Sequence, residues 1–504
     1  MHLSRYVRQV LLIILVGVSI RLIGFDQPLL EGAMTRQLQT AEITYNLYTG
    51  GFDIFHPQIH VLPEPRYFIF EFPIYNTIVA LLYKVFGVHE FLGRAVSIAA
   101  FAGTAWFIWL IASRRLNESI GRASVFAYSF FPLSIIYTRA FQPDSLGLFF
   151  AVGSFSFFSE WLHKKKRAFL PAFILGVLAF LTKQIFAFIL LPMCLYALYH
   201  QKALAFKNLR LYLFMVFVLV PALWWTWYGK QVYLEFPNYL SGTNLNYGDW
   251  FNFEFFLKYE FYKTIFHWLT GIVMTPLGFF LFLMGFFVSV NRDGDRLILF
   301  WMLGVVVFNF LFPLHAFTHE YYHLPLLPVA SIMAAKSWWF FFEREEYQKD
   351  FNLKLFKMVG LTAFFIVVLG YSNSAYRLPS VARHFKQNTA LLNQYTRDED
   401  LIIVTDRYHL YYGNNKGWVF HLDEYTNFLF VKAVIKFYAK DKTIKPTPIN
   451  YIESLRQGGA SYFLVTRLEI LNENPRLADY LRKHYTAVEV KGISLLFDLR
   501  KSLL

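Results

Sequence analysis

The chain has 504 residues, of which 56% are hydrophobic and 20% aromatic but only 16% charged. Soluble domains carry about 25% charged residues, so this composition excludes an ordinary globular protein. The net charge of +14 does not point to nucleic acid, because the basic residues fall mostly in short loops between apolar runs, where they act as topology signals.

A membrane span needs about 20 mainly apolar residues, because a helix rises 1.5 Å per residue through roughly 30 Å of hydrocarbon. Runs of that kind fall at 8–25, 92–113, 120–138, 144–162, 168–183, 185–200, 210–228, 267–290, 297–314, 323–342 and 356–373. The first run follows Arg5 and Arg8 and imitates a secretory signal; with no small-residue cleavage site behind it, a retained span is expected. The single cysteine, Cys194, lies in an apolar run and serves as a small filler; it excludes an intrachain disulfide and a cysteine-based zinc site.

Loop charges give the orientation. With a cytoplasmic N-terminus, the inside loops hold Arg114, Arg115, Arg122, Lys164 to Lys166, Arg167, Lys202, Lys207, Arg210, Arg292, Arg296, Arg344, Lys349, Lys354 and Lys357. The short outside loops hold little beyond Arg139 and Lys183, the distribution expected of a polytopic protein. Three larger pieces then lie outside: 26–91, about 229–266, and the tail from about 374.

The first outer loop predicts a helix at Gln39–Tyr48 and an interfacial helix over Phe72–Phe86, whose apolar run is interrupted by Lys84. The tail predicts strands at Leu401–Thr405, Tyr462–Thr466 and Ser494–Leu499, and helices at Phe428–Tyr438, Ile452–Gln457 and Leu477–Tyr485. That alternation argues for a small α/β domain, in which no GxGxxG or Walker motif appears. The expected fold class is therefore a polytopic α-helical membrane protein of about eleven transmembrane helices, residues 1–373, followed by a soluble extracytoplasmic α/β domain, residues 374–504.

Ionisable groups at the span ends are the candidates for chemistry, since a charge in a membrane segment is costly and is usually paired or functional. Arg139 and Asp144 flank Gln142-Pro143 in one short outer turn, and Thr182-Lys183-Gln184 forms another. His315, His319, Glu320, Tyr321, Tyr322 and His323 crowd a third, while Glu31, Arg36, Glu42 and Glu71 come from the first outer loop. Asp144 also reads as a helix N-cap, Arg139 as a snorkelling cation and Glu42 as part of a solvated face. The histidine spacing matches no familiar zinc pattern, so no cofactor is expected and a divalent metal is not indicated. In the tail, Asp406, His409, Tyr411 and Trp418 are candidate sugar contacts.

An ordered series of segments runs through about residues 1–340: Leu30-Glu31-Gly32, Arg36 to Ala41, Tyr45 to Tyr48, Ile54 to Pro57, Glu71 to Tyr75, Gly93-Arg94, Tyr137 to Ser145, Leu181-Thr182-Lys183 and His319 to Pro328. In these segments the chain resembles the family 39 glycosyltransferases of the GT-C fold, which include protein O-mannosyltransferases and are close to the lipid A aminoarabinose transferases. The resemblance implies a transferase that moves a sugar from a polyprenyl-phosphate donor to a lipid, glycan or protein acceptor at the outer face of the bilayer. It implies Glu31, Glu71 and Asp144 as catalytic carboxylates, with a base or acceptor-orienting role in the first outer loop, and Lys183, Arg139 and Arg36 as partners of the donor phosphate. Gln39, Glu42, His319, Tyr321 and Tyr322 would line the substrate pocket. The chain departs from the family at Leu30-Glu31, where one carboxylate stands in place of the common acidic pair. A bacterial inner membrane is the expected location, with the N-terminus cytoplasmic. The alternatives are a transporter or flippase for a lipid-linked sugar, and a non-catalytic glycan-binding membrane protein.

Overall fold

A computed structural model describes residues 4–32, 34–61, 64–236, 253–344, 351–420, 447–490, 492–501 and 503. The expected helix at Phe428–Tyr438 and the loop lysine Lys349 lie outside the described residues. The chain divides into two compact units, the first drawn from 1–32, 71–227 and 245–377, the second from 33–70, 228–244 and 378–504.

The first unit is helical. Its elements are α1 (Arg5–Arg21), α3 (Ile74–Phe86), α4 (Glu90–Arg115), α5 (Glu118–Phe130), α6 (Pro132–Tyr137), α7 (Asp144–Leu162), α8 (Phe169–Thr182), α9 (Leu190–Gln201), most of α10 (Leu209–Glu235), α11 (Tyr259–Trp268), α12 (Thr275–Met284), α13 (Arg292–Leu311), α14 (Pro313–Thr318), α15 (Leu326–Phe342) and α16 (Phe351–Ser372). The second unit contributes α2 (Met34–Thr49). Each apolar run of the sequence is helical, though several are broken. Six helical segments among the described residues are long and apolar enough to cross a membrane, and a seventh span arises if the pair Tyr259–Val273 and Thr275–Met284, bent by 105°, is one crossing.

The breaks have local causes. Pro132 has no N–H and biases the preceding residue away from helix, so α5 stops at Phe130, Phe131 is extended and α6 starts on the proline. Lys183 is likewise extended (φ −165°, ψ 129°), which ends α8 and lets a 3₁₀ turn, Gln184–Ile189, lead into α9. The α7 helix is the most enclosed of the candidate spans, 83% of its apolar window being buried against 17% for Lys354–Ala375. Small residues permit this: a Cβ on Gly147 would collide with the Phe186 ring, and Ser154 donates to the carbonyl of Ala172 at 2.7 Å.

In the second unit a five-stranded sheet has the order β2-β1-β3-β5-β4, with β1 (Leu401–Val404), β2 (Lys416–Val419), β3 (Ala460–Val465), β4 (Thr486–Val490) and β5 (Ser494–Asp498). β1 is parallel to β2 and β3, while β5 is antiparallel to β3 and β4. The expected strands β1, β3 and β5 are present; β2 and β4 were not anticipated. β2 is only four residues long and contains Gly417, and β4 lies at the edge with a largely exposed pattern, so neither gives the apolar run that marks a buried strand. The core behind the sheet comprises Ile403, Phe463, Val465, Phe497 and the apolar faces of Pro448–Gln457 and Pro475–His484. Part of the first outer loop belongs to this unit: Val61 pairs in parallel with Gly417, whose N–H donates to the carbonyl of His60.

Candidate functional site

The helix ends of the first unit gather two clusters of buried charge. In the first, Lys183 Nζ lies 2.7 Å from Asp144 Oδ1 and 4.0 Å from Glu71 Oε1. The same ammonium sits 4.5 Å and 5.2 Å from the ring centroids of Tyr321 and Tyr322, within cation–π range. Lys183 and Asp144 are both buried, and Asp144 Oδ2 has no hydrogen-bond partner among the described residues. Asp144 does not act as the helix cap: Pro143 occupies that position, and the carboxylate of the first helical residue turns to Lys183.

Around this cluster Tyr137 donates to Glu320 Oε1 at 2.6 Å, and the His319 ring stacks on Tyr321 with centroids 5.2 Å apart. His315 packs edge-on against Tyr322. Burial and then the nearby Lys183 charge push the His315 imidazole down to about 4, so it is neutral at physiological pH. An apolar cavity of about 540 Å³ runs from this region between α8, α10 and α13. Gln184 and His315 line it together with Phe180, Phe188, Leu223 and Phe308; Lys183 precedes Gln184 in the chain but is not itself in the wall.

In the second cluster Arg94, fully buried, donates to Glu31 Oε1 at 2.6 Å and to the carbonyls of Phe25 and Gln27 at 2.9 and 2.5 Å. Tyr75 stands between the clusters, donating to the Gly93 carbonyl at 2.7 Å and lying close enough to feel both Arg94 and Asp144. Ser97 staples the outer turn to α4, donating to the carbonyl of Ala140 at 2.7 Å.

Arg139 is buried rather than snorkelling. Its guanidinium donates to the carbonyls of Arg21 (3.3 Å), Ile23 (2.7 Å), Gly24 (3.0 Å) and Ala375, and stacks over Tyr376 at 4.6 Å. Arg21, also buried, donates to Thr138 Oγ1 (2.6 Å) and Ser134 Oγ (2.9 Å) and lies over Phe101. These two arginines fasten α1 and the segment after α16 to the outer turn.

The remaining sequence candidates belong to the second unit. Glu42 is fully buried rather than solvated, paired with Arg407 at 2.7 Å and accepting from the His60 N–H at 3.2 Å. Arg36 reaches Gln39 at 3.4 Å on its own helix and lies over Phe70. Asp406 accepts from Arg467 at 2.8 Å and from Thr466 at 2.5 Å, and His409 is buried. The sequence reading expected Glu31, Glu71, Arg139, Asp144 and Lys183 around one opening; the structure gathers Glu71, Asp144 and Lys183 with Tyr321 and Tyr322, while Glu31 pairs with Arg94 and Arg139 binds backbone carbonyls. That reading missed the structural work of Arg21, Tyr75 and Ser97, and named Arg94 only within a longer pattern. The available signal was a charge near the end of an apolar run, Arg21 in the last turn of the first helix and Arg94 at the start of the second run.

Residues 71–227 match the sequence model of the dolichyl-phosphate-mannose-protein mannosyltransferase family. No curated protein sequence matches the chain. Among solved structures, ArnT from Cupriavidus metallidurans in the apo state is 14% identical, with a TM-score of 0.65 over 98% of this chain and 98% of that one. The same enzyme bound to undecaprenyl phosphate gives 0.62 at 14% identity, over 97% and 98% of the two chains. The oligosaccharyltransferase of Archaeoglobus fulgidus gives 0.57 at 11% identity, over 96% of this chain and 73% of that one. The chain is thus an integral membrane protein with the GT-C glycosyltransferase fold, carrying a mannosyltransferase-type sequence segment over residues 71–227 in its N-terminal half.

Proposed function

We propose that this protein transfers a sugar from a polyprenyl-phosphate donor to an acceptor hydroxyl at the outer membrane face. The observation that carries this is the buried Lys183 held by Asp144 and Glu71, next in the chain to Gln184 in the wall of an apolar cavity, which suits a phosphate with a lipid tail nearby. The complex of ArnT with undecaprenyl phosphate, and that of the archaeal oligosaccharyltransferase with a dolichol-phosphate, support the same donor class.

Breaking the glycosidic bond leaves negative charge on the lipid phosphate, and a fixed cation in a site shielded from water lowers that barrier. Lys183 takes this role, with Asp144 and Glu71 holding the ammonium in place. Attack with inversion needs the base on the far side of the anomeric carbon from the leaving phosphate. Glu71, 4.0 Å from Lys183, is on the phosphate side, so Glu31 in the separate Arg94 cluster fits the general base. Arg139 is committed to backbone carbonyls and acts by holding the outer turn.

The reading extends to about eleven membrane crossings, with the N-terminus in the cytoplasm of a bacterial inner membrane and the α/β domain outside. Support comes from the helicity of all the apolar runs and from the segregation of charge along α7, with Asp144 at one end and Glu160, paired with Arg115, at the other. The test is turnover of a polyprenyl-phosphate sugar by purified protein. Lys183→Ala should lower it by about 10²-fold or more; unchanged turnover in a folded variant removes the assignment.

A further inference from the structure

About 28 Å along α7 from Asp144, by the rise of a 19-residue helix, three side chains converge that the transferase reading does not use. His163 follows the last residue of α7, His200 lies in the last turn of α9, and Asp293 is in the first turn of α13. His163 Nε2 is 3.3 Å from Asp293 Oδ2, and His200 Nε2 is 2.9 Å from Asp293 Oδ1. One ligand atom from each lies within 4.8 Å of the other two, the one such trio among the described residues.

Three further features suit metal ligation. His163 Nδ1 donates to the carbonyl of Ser159 at 2.7 Å, so Nδ1 carries a proton and Nε2 is the ring atom turned toward Asp293. A second-sphere carbonyl that fixes the tautomer in this way is the usual support of a metal-bound histidine. The Tyr196 hydroxyl donates to Asp293 at 2.9 Å and orients it, as outer-shell groups orient ligating carboxylates. Arg115, whose charge acts on His200 and Tyr196, is paired with Glu160 at 2.7 Å, and the three side chains remain partly open to solvent, which leaves an entry path.

We propose that His163, His200 and Asp293 form a binding site for a divalent transition-metal ion of the Zn²⁺ type, with water completing the coordination. Tetrahedral ligands at about 2.0–2.1 Å from zinc lie about 3.3 Å from one another, so the observed spacing closes on an ion with small side-chain movements. The bound ion ties the ends of α7, α9 and α13 together at the pole of the helix bundle opposite Lys183. Its role is structural, and it stands independently of the sugar-transfer reading.

The test uses the full-length protein without a polyhistidine tag, stripped with a chelator, loaded with Zn²⁺ and desalted, with bound metal read by plasma mass spectrometry. Wild type should retain one zinc per chain and the double variant His163→Ala/His200→Ala none above background; Tyr196→Phe should weaken binding about tenfold or more. Equal retention by wild type and double variant overturns the proposal. Should the double variant fail to fold, Co²⁺ bound to the wild type answers the question alone. Visible d–d bands that Zn²⁺ abolishes support the site, and their absence identifies the trio as a histidine–carboxylate ion pair only.

Discussion

Lys183 and Asp144 form a buried ion pair with Nζ and Oδ1 2.7 Å apart, linking the end of α8 to the start of α7. Removing one partner leaves a buried charge without its hydrogen-bonded counter-ion, Glu71 at 4.0 Å offsetting only part of the loss, which costs up to about 3–5 kcal/mol. Asp144→Asn alone should therefore lower the thermal midpoint of the detergent-purified protein markedly. The double variant Lys183→Met/Asp144→Asn should recover much of that loss while remaining inactive. A double variant as unstable as the worse single one would show that the pair is not the source of the effect.

Glu31 and Glu71 should separate kinetically. If Glu31 removes the acceptor proton, Glu31→Gln lowers kcat by about 10²–10⁴-fold with the fold retained, the range a positioned base contributes. Glu71→Gln, beside Lys183, should act mainly on the donor, raising its KM. Equal kcat losses in the two variants would place both carboxylates on the same step.

Arg139 should behave as a structural residue. Arg139→Lys keeps the charge but loses the planar fork that reaches the carbonyls of Ile23, Gly24 and Ala375. The expected result is a lower melting temperature, with donor KM in the surviving folded fraction close to that of wild type. A large rise in KM at unchanged stability would return Arg139 to the phosphate site.

Helix packing makes a paired prediction. A Cβ at Gly285 collides with the Met333 carbonyl oxygen, whereas one at Gly360 meets nothing within 4 Å. Gly285→Ala should destabilise by about 1–3 kcal/mol, while Gly360→Ala should be neutral or stabilising by up to about 1 kcal/mol. Thermal unfolding of both variants checks the contrast.

In the second unit, burial pushes His409 down to about 4, with the nearby Asp406 charge opposing it. Neither ring nitrogen has a hydrogen-bond partner among the described residues. An unfolded histidine titrates near 6.5. The unfolded chain therefore binds more protons between these values, and the stability held above pH of about 6.5 is lost as pH falls toward 4. His409→Leu should flatten this acid sensitivity in unfolding scans between about pH 6.5 and 4; an identical profile would assign the loss to other groups.

Much of the helical scaffold was legible in advance because span length and loop charge are local properties. The run at 144–162 was read to the residue, whereas the run at 120–138, read as one span, is broken at Pro132. The Lys183 turn also stood out, since a lysine between two apolar runs with no loop has few other reasons to be there. Less was legible where signals were weak or long-range. β4 is exposed and carries no buried pattern, and Glu42, which reads as half of a polar helical face, becomes buried only when Arg407 from far along the chain meets it.

The sequence by itself determined which segments are helices or core strands, where they end, and that charges stand at those ends, because hydropathy, periodicity and proline act over a few residues. Tertiary structure alone decided which charges pair. Glu31 took Arg94, Lys183 took Asp144, and Arg139 spent its guanidinium on carbonyls as distant as Ala375. Those choices depend on which helix ends pack together, and close contacts such as Gly147 against Phe186 fix that arrangement beyond the reach of any local pattern.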